Sequence, residues 1–292
     1  MNRKLIQQGK GGFTLYLPKK WIDSNRLKKG DLIEIEEGKS SLILKAGTGK
    51  QEPVKVSLNV SNVELLTNRA LIALYVRGAD EIEVTYVKEN EKIKDFKKRV
   101  IHELLGFEIF EQESGRFILR DVTGTSQNQF NGLFERLLFM TESMIGELEM
   151  MFENKKNSKE VLESDPAINR ISNYCLRILN KYGHPESEKS LHYYTLVMLI
   201  EEIGDILKDT ALGYKARSGE ARYGDIMKMI KEQFSLFKRL LKDFNNHELM
   251  IFAKNYETIK SKIKGNNALE EKLISLSHHI ILLNNQLLIL NL

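Results

Sequence analysis

The spacing of apolar residues changes twice along the 292-residue chain, dividing it into three stretches. Over residues 3–45 it is short and alternating: RKLIQQ, FTLYLP, DLIEIEE and SLILKA each read as a strand, with alternation clearest in FTLYL and DLIEIE. Gly9 and the pair Gly11-Gly12 supply turns, and KKWIDSNRL predicts a short helix between the second and third strands. The stretch KAGTGKQEP, rich in glycine and poor in apolar residues, reads as a linker. Residues 54–120 then predict a strand (VKVSLNV), a helix (62–76), a strand (EIEVTYV), a helix (91–105) and two strands (FEIFEQE and RFILRDV) joined at Ser114-Gly115. From Thr125 to the end the period is 3.6, as in Phe130, Leu133, Phe134, Leu137, Leu138 and onward to Phe152. Five more amphipathic helices are predicted at 160–180, 188–212, 224–244, 249–264 and 268–290.

The pattern predicts a multidomain chain: a small β-rich domain over 1–47, a central α/β sandwich over 53–122, and an all-α region over 125–292. Six helices with short connections suggest two three-helix bundles packed together. A β module of about 45 residues buries too little apolar surface to stand alone, so it is expected to complete its core against a second copy, as a homodimer.

Composition changes this picture little; charge changes it more. With 42% hydrophobic and 29% charged residues the chain has ordinary globular balance. No apolar run approaches membrane-spanning length and the first ten residues lack a signal-peptide core, so a cytoplasmic protein with no membrane insertion is expected. The one cysteine, Cys175, lies on the apolar stripe ISNYCLRIL and is expected to be buried. Charge is uneven. Residues 1–30 hold Arg3, Lys4, Lys10, Lys19, Lys20, Arg26, Lys28 and Lys29 against Asp23 alone, a balance of +7 that leaves −3 for the other 262 residues. A basic segment on an otherwise mildly acidic chain is the electrostatic footprint of polyanion binding; a solvated basic face is the plainer alternative.

The segment GKGGFTLYLPKKWIDSNRLKKGDLIEIEE resembles the swapped-hairpin DNA-binding domain of the AbrB and SpoVT regulators, shared with MazE-type antitoxins. The likeness lies in the Gly-rich turn, the strand ending at Leu17-Pro18 before Lys19, the short helix, and Leu27-Lys28-Lys29-Gly30-Asp31 leading into an alternating strand. It implies an intertwined homodimer whose basic residues reach DNA, with the eight residues above as candidate contacts. Trp21 is open to two readings, packing in the dimer or stacking on a base.

In the helical region, Glu201, Asp205 and Asp209 are spaced four apart and share a helix face, where like charges repel. The run Glu201-Glu202-Ile203-Gly204-Asp205 resembles a motif of the PhoU family of phosphate-signalling regulators, and Glu163 to Asn169 resembles the acidic start of that family's middle helix. The likeness covers roughly residues 125–292. It implies a divalent metal ion (Mg, Fe or Zn) on the first bundle, held by Glu201, Asp205, Asp209 and Asp165; capping or solvation is the plainer role of these acids. The last helix departs from the family, having no acid after Glu271.

Together the two likenesses resemble the archaeal phosphate uptake regulators. They imply transcriptional control of phosphate uptake and homeostasis, with DNA as a partner and a phosphate transporter or signalling protein as a further one. A DNA-free signalling adaptor and an antitoxin-like regulator stay open. The chain offers no Gly-rich phosphate loop and no convergent nucleophile, base and oxyanion donors, so no enzyme activity is expected.

Overall fold

A computed structural model describes residues 3–9, 11–37, 42–46, 53–61, 67–153, 158–214 and 221–292. The chain divides into two units, Met1–Glu52 and Pro53–Leu292, so the stretches expected as 53–122 and 125–292 lie in one unit. It is mostly helical, with strands confined to its first part.

In the first unit, β1 (Ile6–Gln8) pairs antiparallel with β2 (Gly12–Thr14), and β3 (Ile33–Glu37) pairs antiparallel with β4 (Leu42–Ala46). Between the two ribbons lies α1 (Lys19–Ser24). The strand predicted over FTLYLP is thus shorter than expected, ending at Thr14. Pro18 precedes the first turn of α1, and its carbonyl accepts from the Trp21 and Ile22 amides. The register of β3 and β4 puts Ile33, Ile35, Leu42, Leu44 and Ala46 on one face. Ile35 and Leu42 are nonetheless 60% and 63% exposed, and Phe13, Tyr16 and Leu32 are also bare.

The second unit begins with β5 (Lys55–Asn59), α2 (Thr67–Val76), β6 (Glu81–Thr85), α3 (Glu91–Glu103), β7 (Phe107–Glu113) and β8 (Arg116–Asp121). Residues 62–66 of the helix expected at 62–76 lie outside the described residues. The sheet order is β5-β6-β8-β7, with β5 and β6 parallel and the other pairs antiparallel. A parallel pair needs a crossover, which α2 supplies. Alternation sends Ile82, Val84, Phe117 and Leu119 into the core. On the opposite face Glu81 pairs with Lys55 (2.9 Å) and Arg120 (2.7 Å), and Glu83 pairs with Arg116 (2.8 Å).

Among the described residues six long helices follow: α4 (Phe130–Phe152), α5 (Lys159–Tyr182), α6 (Ser190–Gly213), α7 (Ala221–Lys242), α8 (Asn246–Lys262) and α9 (Ala268–Asn291). Helices α4, α5 and α6 pack on one another, as do α7, α8 and α9; α4 on α7 and α6 on α9 join the two sets. Through α2 and α3, both in contact with α5, the sheet layer shares this core. Cys175 is buried as expected, and its thiol is pushed up to about 12 by desolvation.

One expectation needs correction. α9 is long and apolar enough to cross a membrane by length and composition, with an 18-residue window of mean hydropathy 1.4. Polar residues such as Ser277, Asn284 and Asn285 break the apolar letters without adding charge. In this structure α9 packs into the protein core, with Leu273, Leu276, Ile280, Leu283 and Leu287 fully buried.

Candidate nucleic-acid interface and acidic helix face

The basic residues of the first unit are arranged by local backbone chemistry. Lys19 and Lys20 form the first turn of α1 and are exposed. That helix ends in a Schellman motif: the Arg26 amide donates to Asp23 O (3.1 Å) and the Leu27 amide to Ile22 O (3.0 Å). The motif places Arg26 in the left-handed region at φ 54°, where glycine is preferred. Lys28 and Lys29 follow in a turn that Asp31 closes. Its carboxylate accepts from the Lys28 amide (2.6 Å), and its own amide donates to Lys28 O (3.1 Å). The side chains of Arg3, Lys4, Arg26, Lys28 and Lys29 are exposed as well; Lys10 lies outside the described residues. Trp21 is half-buried. Seven of the eight expected basic residues are therefore exposed, on one small unit that also bares apolar side chains.

The acidic face of α6 has a different organisation. Lys208, one turn beyond Asp205, donates to Asp165 Oδ1 of α5 (3.1 Å) and to Asp205 Oδ1. Its ammonium occupies the space between the carboxylates where the resemblance implies a metal ion. Burial disfavours the Lys208 charge, but the two carboxylates outweigh it and hold the lysine protonated. Burial also pushes the Asp165 carboxyl up, against the pull of Lys208. Glu201 is pushed up to about 7, mainly by burial and then by Asp205 and Glu202. Asp209 is exposed, and its carbonyl accepts from Lys272. Among the described residues no three His, Cys, Asp or Glu side chains are gathered to hold a metal. As arranged, Glu201, Asp205, Asp209 and Asp165 do not fit a divalent cation, because a lysine already neutralises the two acids that meet.

The rest of the α6 motif has a packing explanation. A Cβ on Gly204 would lie 3.2 Å from Ile168 Cγ2, so glycine lets α6 approach α5 closely. The run Glu163 to Asn169 lies inside α5 rather than at its start, with Pro166 in the helix interior.

Sequence reasoning missed Arg177. It is fully buried on α5, and all five guanidinium N–H groups have acceptors. Nε donates to Thr125 Oγ1 (3.1 Å), Nη1 to the carbonyls of Tyr75 (2.9 Å) and Ala79 (2.5 Å), and Nη2 to Asp80 (3.2 Å) and Asp121 (3.1 Å). Lys181 also pairs with Asp80, which balances two carboxylates with two cations. Burial opposes ionisation of Asp121, yet hydrogen bonds from Thr125 and Arg177 hold its carboxyl below the ordinary range. This cluster ties α5 to the end of α2 and to β8. Its one sequence signal is an arginine inside the apolar stripe NYCLRIL.

Comparison of the chain with protein-family models, with curated proteins and with solved structures yields no significant match.

Proposed function

We propose that the chain is a dimeric DNA-binding transcription regulator, acting in the cytoplasm on genes of phosphate uptake and homeostasis. In this reading the first unit is a swapped-hairpin domain of the AbrB and SpoVT type, and the six helices are two three-helix bundles of the PhoU type. The observation that carries it is the first unit's double character. It bares apolar side chains at Phe13, Leu32, Ile35 and Leu42 while exposing seven basic side chains, five of them in or just after one short helix.

Isolated two-stranded ribbons are marginal in water, so the bare apolar face of the β3–β4 ribbon needs cover. A second copy offers identical faces, and closed two-fold pairing is the commonest solution. Pairing also doubles the basic residues presented to a duplex, and affinity then rests on phosphate neutralisation. The tie to phosphate rests on the resemblance of the helical region, which would carry the sensing or docking role.

Two measurements test the reading. Sedimentation equilibrium is expected to give a dimer that Leu32→Asp with Ile35→Asp converts to monomer; a wild-type monomer at micromolar concentration removes the dimer. A genome-wide map of bound DNA, with and without phosphate, is expected to place the protein at promoters of phosphate-uptake genes. Occupancy elsewhere and indifferent to phosphate removes the assignment.

A further inference from the structure

Between α2, α5 and α6 lies an open cavity of about 550 Å³, within the second unit and remote in sequence from the basic segment. Its apolar lining comes from Ile72 and Val76 of α2, Leu176 of α5, and Tyr194 and Met198 of α6. Met198, a flexible apolar side chain, is 45% exposed at the groove. Arg69, Ala73, Arg77 and Asn180 complete the lining, and among the described residues no carboxylate contributes. Among the described residues neither arginine side chain has a hydrogen bond or ion pair. The other arginine nearby, Arg177, has every donor satisfied, so the pair at the groove is not part of that cluster.

We infer that this groove docks an acidic amphipathic helix of a partner protein. Arg69 lies in the first turn of α2 and Arg77 directly after its last residue, eight positions apart, about 12 Å along the helix axis. At that separation their backbones do not converge on one small anion. Two turns of a docked helix span the same distance and place acidic residues seven or eight apart against the two guanidiniums. The apolar residues between those acids then meet Val76, Tyr194 and Met198. Helix-in-groove recognition reads such i, i+3/i+4, i+7 anchors, and arginine, tyrosine and methionine are the side chains enriched at such contacts. The inference stands independently of DNA binding by the first unit.

The test is a displayed library of 18-residue amphipathic helices, selected on the full-length chain and depleted on the variant Arg69→Glu with Arg77→Glu. Depletion removes peptides held by the basic first unit. The surviving peptides are expected to carry Asp or Glu seven or eight apart with apolar residues between. They are expected to bind the double variant at least tenfold more weakly, with its circular-dichroism melt unchanged. Met198→Arg, which keeps both arginines and fills the groove, is expected to weaken binding similarly, so the result does not hang on one variant. The inference is overturned by any of four results: no peptide survives depletion; the survivors are basic; they bind Met198→Arg as tightly as wild type; or dodecyl phosphate binds in an Arg69- and Arg77-dependent way while helices do not. Wild-type assembly into a larger oligomer than the double variant forms would identify a second copy as the occupant, and would also overturn it.

Discussion

Arg26 and Gly78 stand at the same place in the same motif. Gly78 (φ 103°) closes α2 with its amide on Tyr75 O and the Ala79 amide on Leu74 O, the bonds that Arg26 and Leu27 make at the end of α1. Glycine fits that conformation freely, whereas a side chain costs about 1 kcal/mol there. Arg26→Gly is therefore expected to slow hydrogen exchange over residues 19–27 while weakening DNA binding; loss of protection would show that the arginine side chain stabilises the turn. Arg177 makes the opposite prediction. Arg177→Met leaves the partly buried Asp80 and Asp121 carboxylates with Lys181 alone, and unfolding in urea is expected to show a loss of about 3 kcal/mol. Asp121 has its carboxyl held low in the folded state, so its contribution is present above the ordinary aspartate value and lost as pH falls. Glu201 has the reverse sign. Its folded value near 7 exceeds the unfolded value near 4.5, so its protonated form favours folding below pH 4.5, and that contribution is lost as pH rises through 7. Glu201→Gln is expected to be the more stable form at pH 8, by roughly 1 kcal/mol once partial exposure is allowed for. Equal melting of the two proteins at pH 8 would contradict the burial of this carboxyl.

At the scale of elements, Lys208 decides how the acidic face of α6 behaves. Lys208→Ala removes the cation between Asp165 and Asp205, and the variant is expected to melt lower at neutral pH and to take up manganese measurable by elemental analysis. Wild type is expected to take up none at this face; equal uptake by both proteins would mean that the lysine yields to metal. The spacing of Glu201, Asp205 and Asp209 was legible because helical period alone puts them on one face. The neutralising lysine was in the same helix but carried no motif, and Asp165 meets it only through the packing of α5 on α6. Strand and helix positions in the second unit were legible for a similar reason: alternation in EIEVTYV and the 3.6 period after Thr125 each report one buried face. β2 was overread, because FTLYL alternates over five residues while only Gly12–Thr14 find a partner in the chain. Arg177 stayed hidden because its acceptors come from residues 75 to 125, and no local pattern marks a charge whose partners are that distant.

The whole molecule joins an exposed basic unit to a large buried core. Charge is separated, +7 in the first 30 residues against −3 in the rest, and on this the proposal of a polyanion-binding first unit rests. The second unit has a continuous core from the sheet layer into the helices that follow it. The most direct test of the account is the affinity of the full-length protein for duplex DNA as a function of salt. Binding is expected at low salt, with log K falling against log salt by roughly 0.9 per neutralised phosphate. Lys19 and Lys20 of both protomers would account for about 3.6 of that slope, and Lys19→Glu with Lys20→Glu is expected to abolish the complex without changing the melt of the second unit. Absence of binding at low salt, or affinity unchanged in the charge-reversed variant, would contradict a DNA reader built on the first unit.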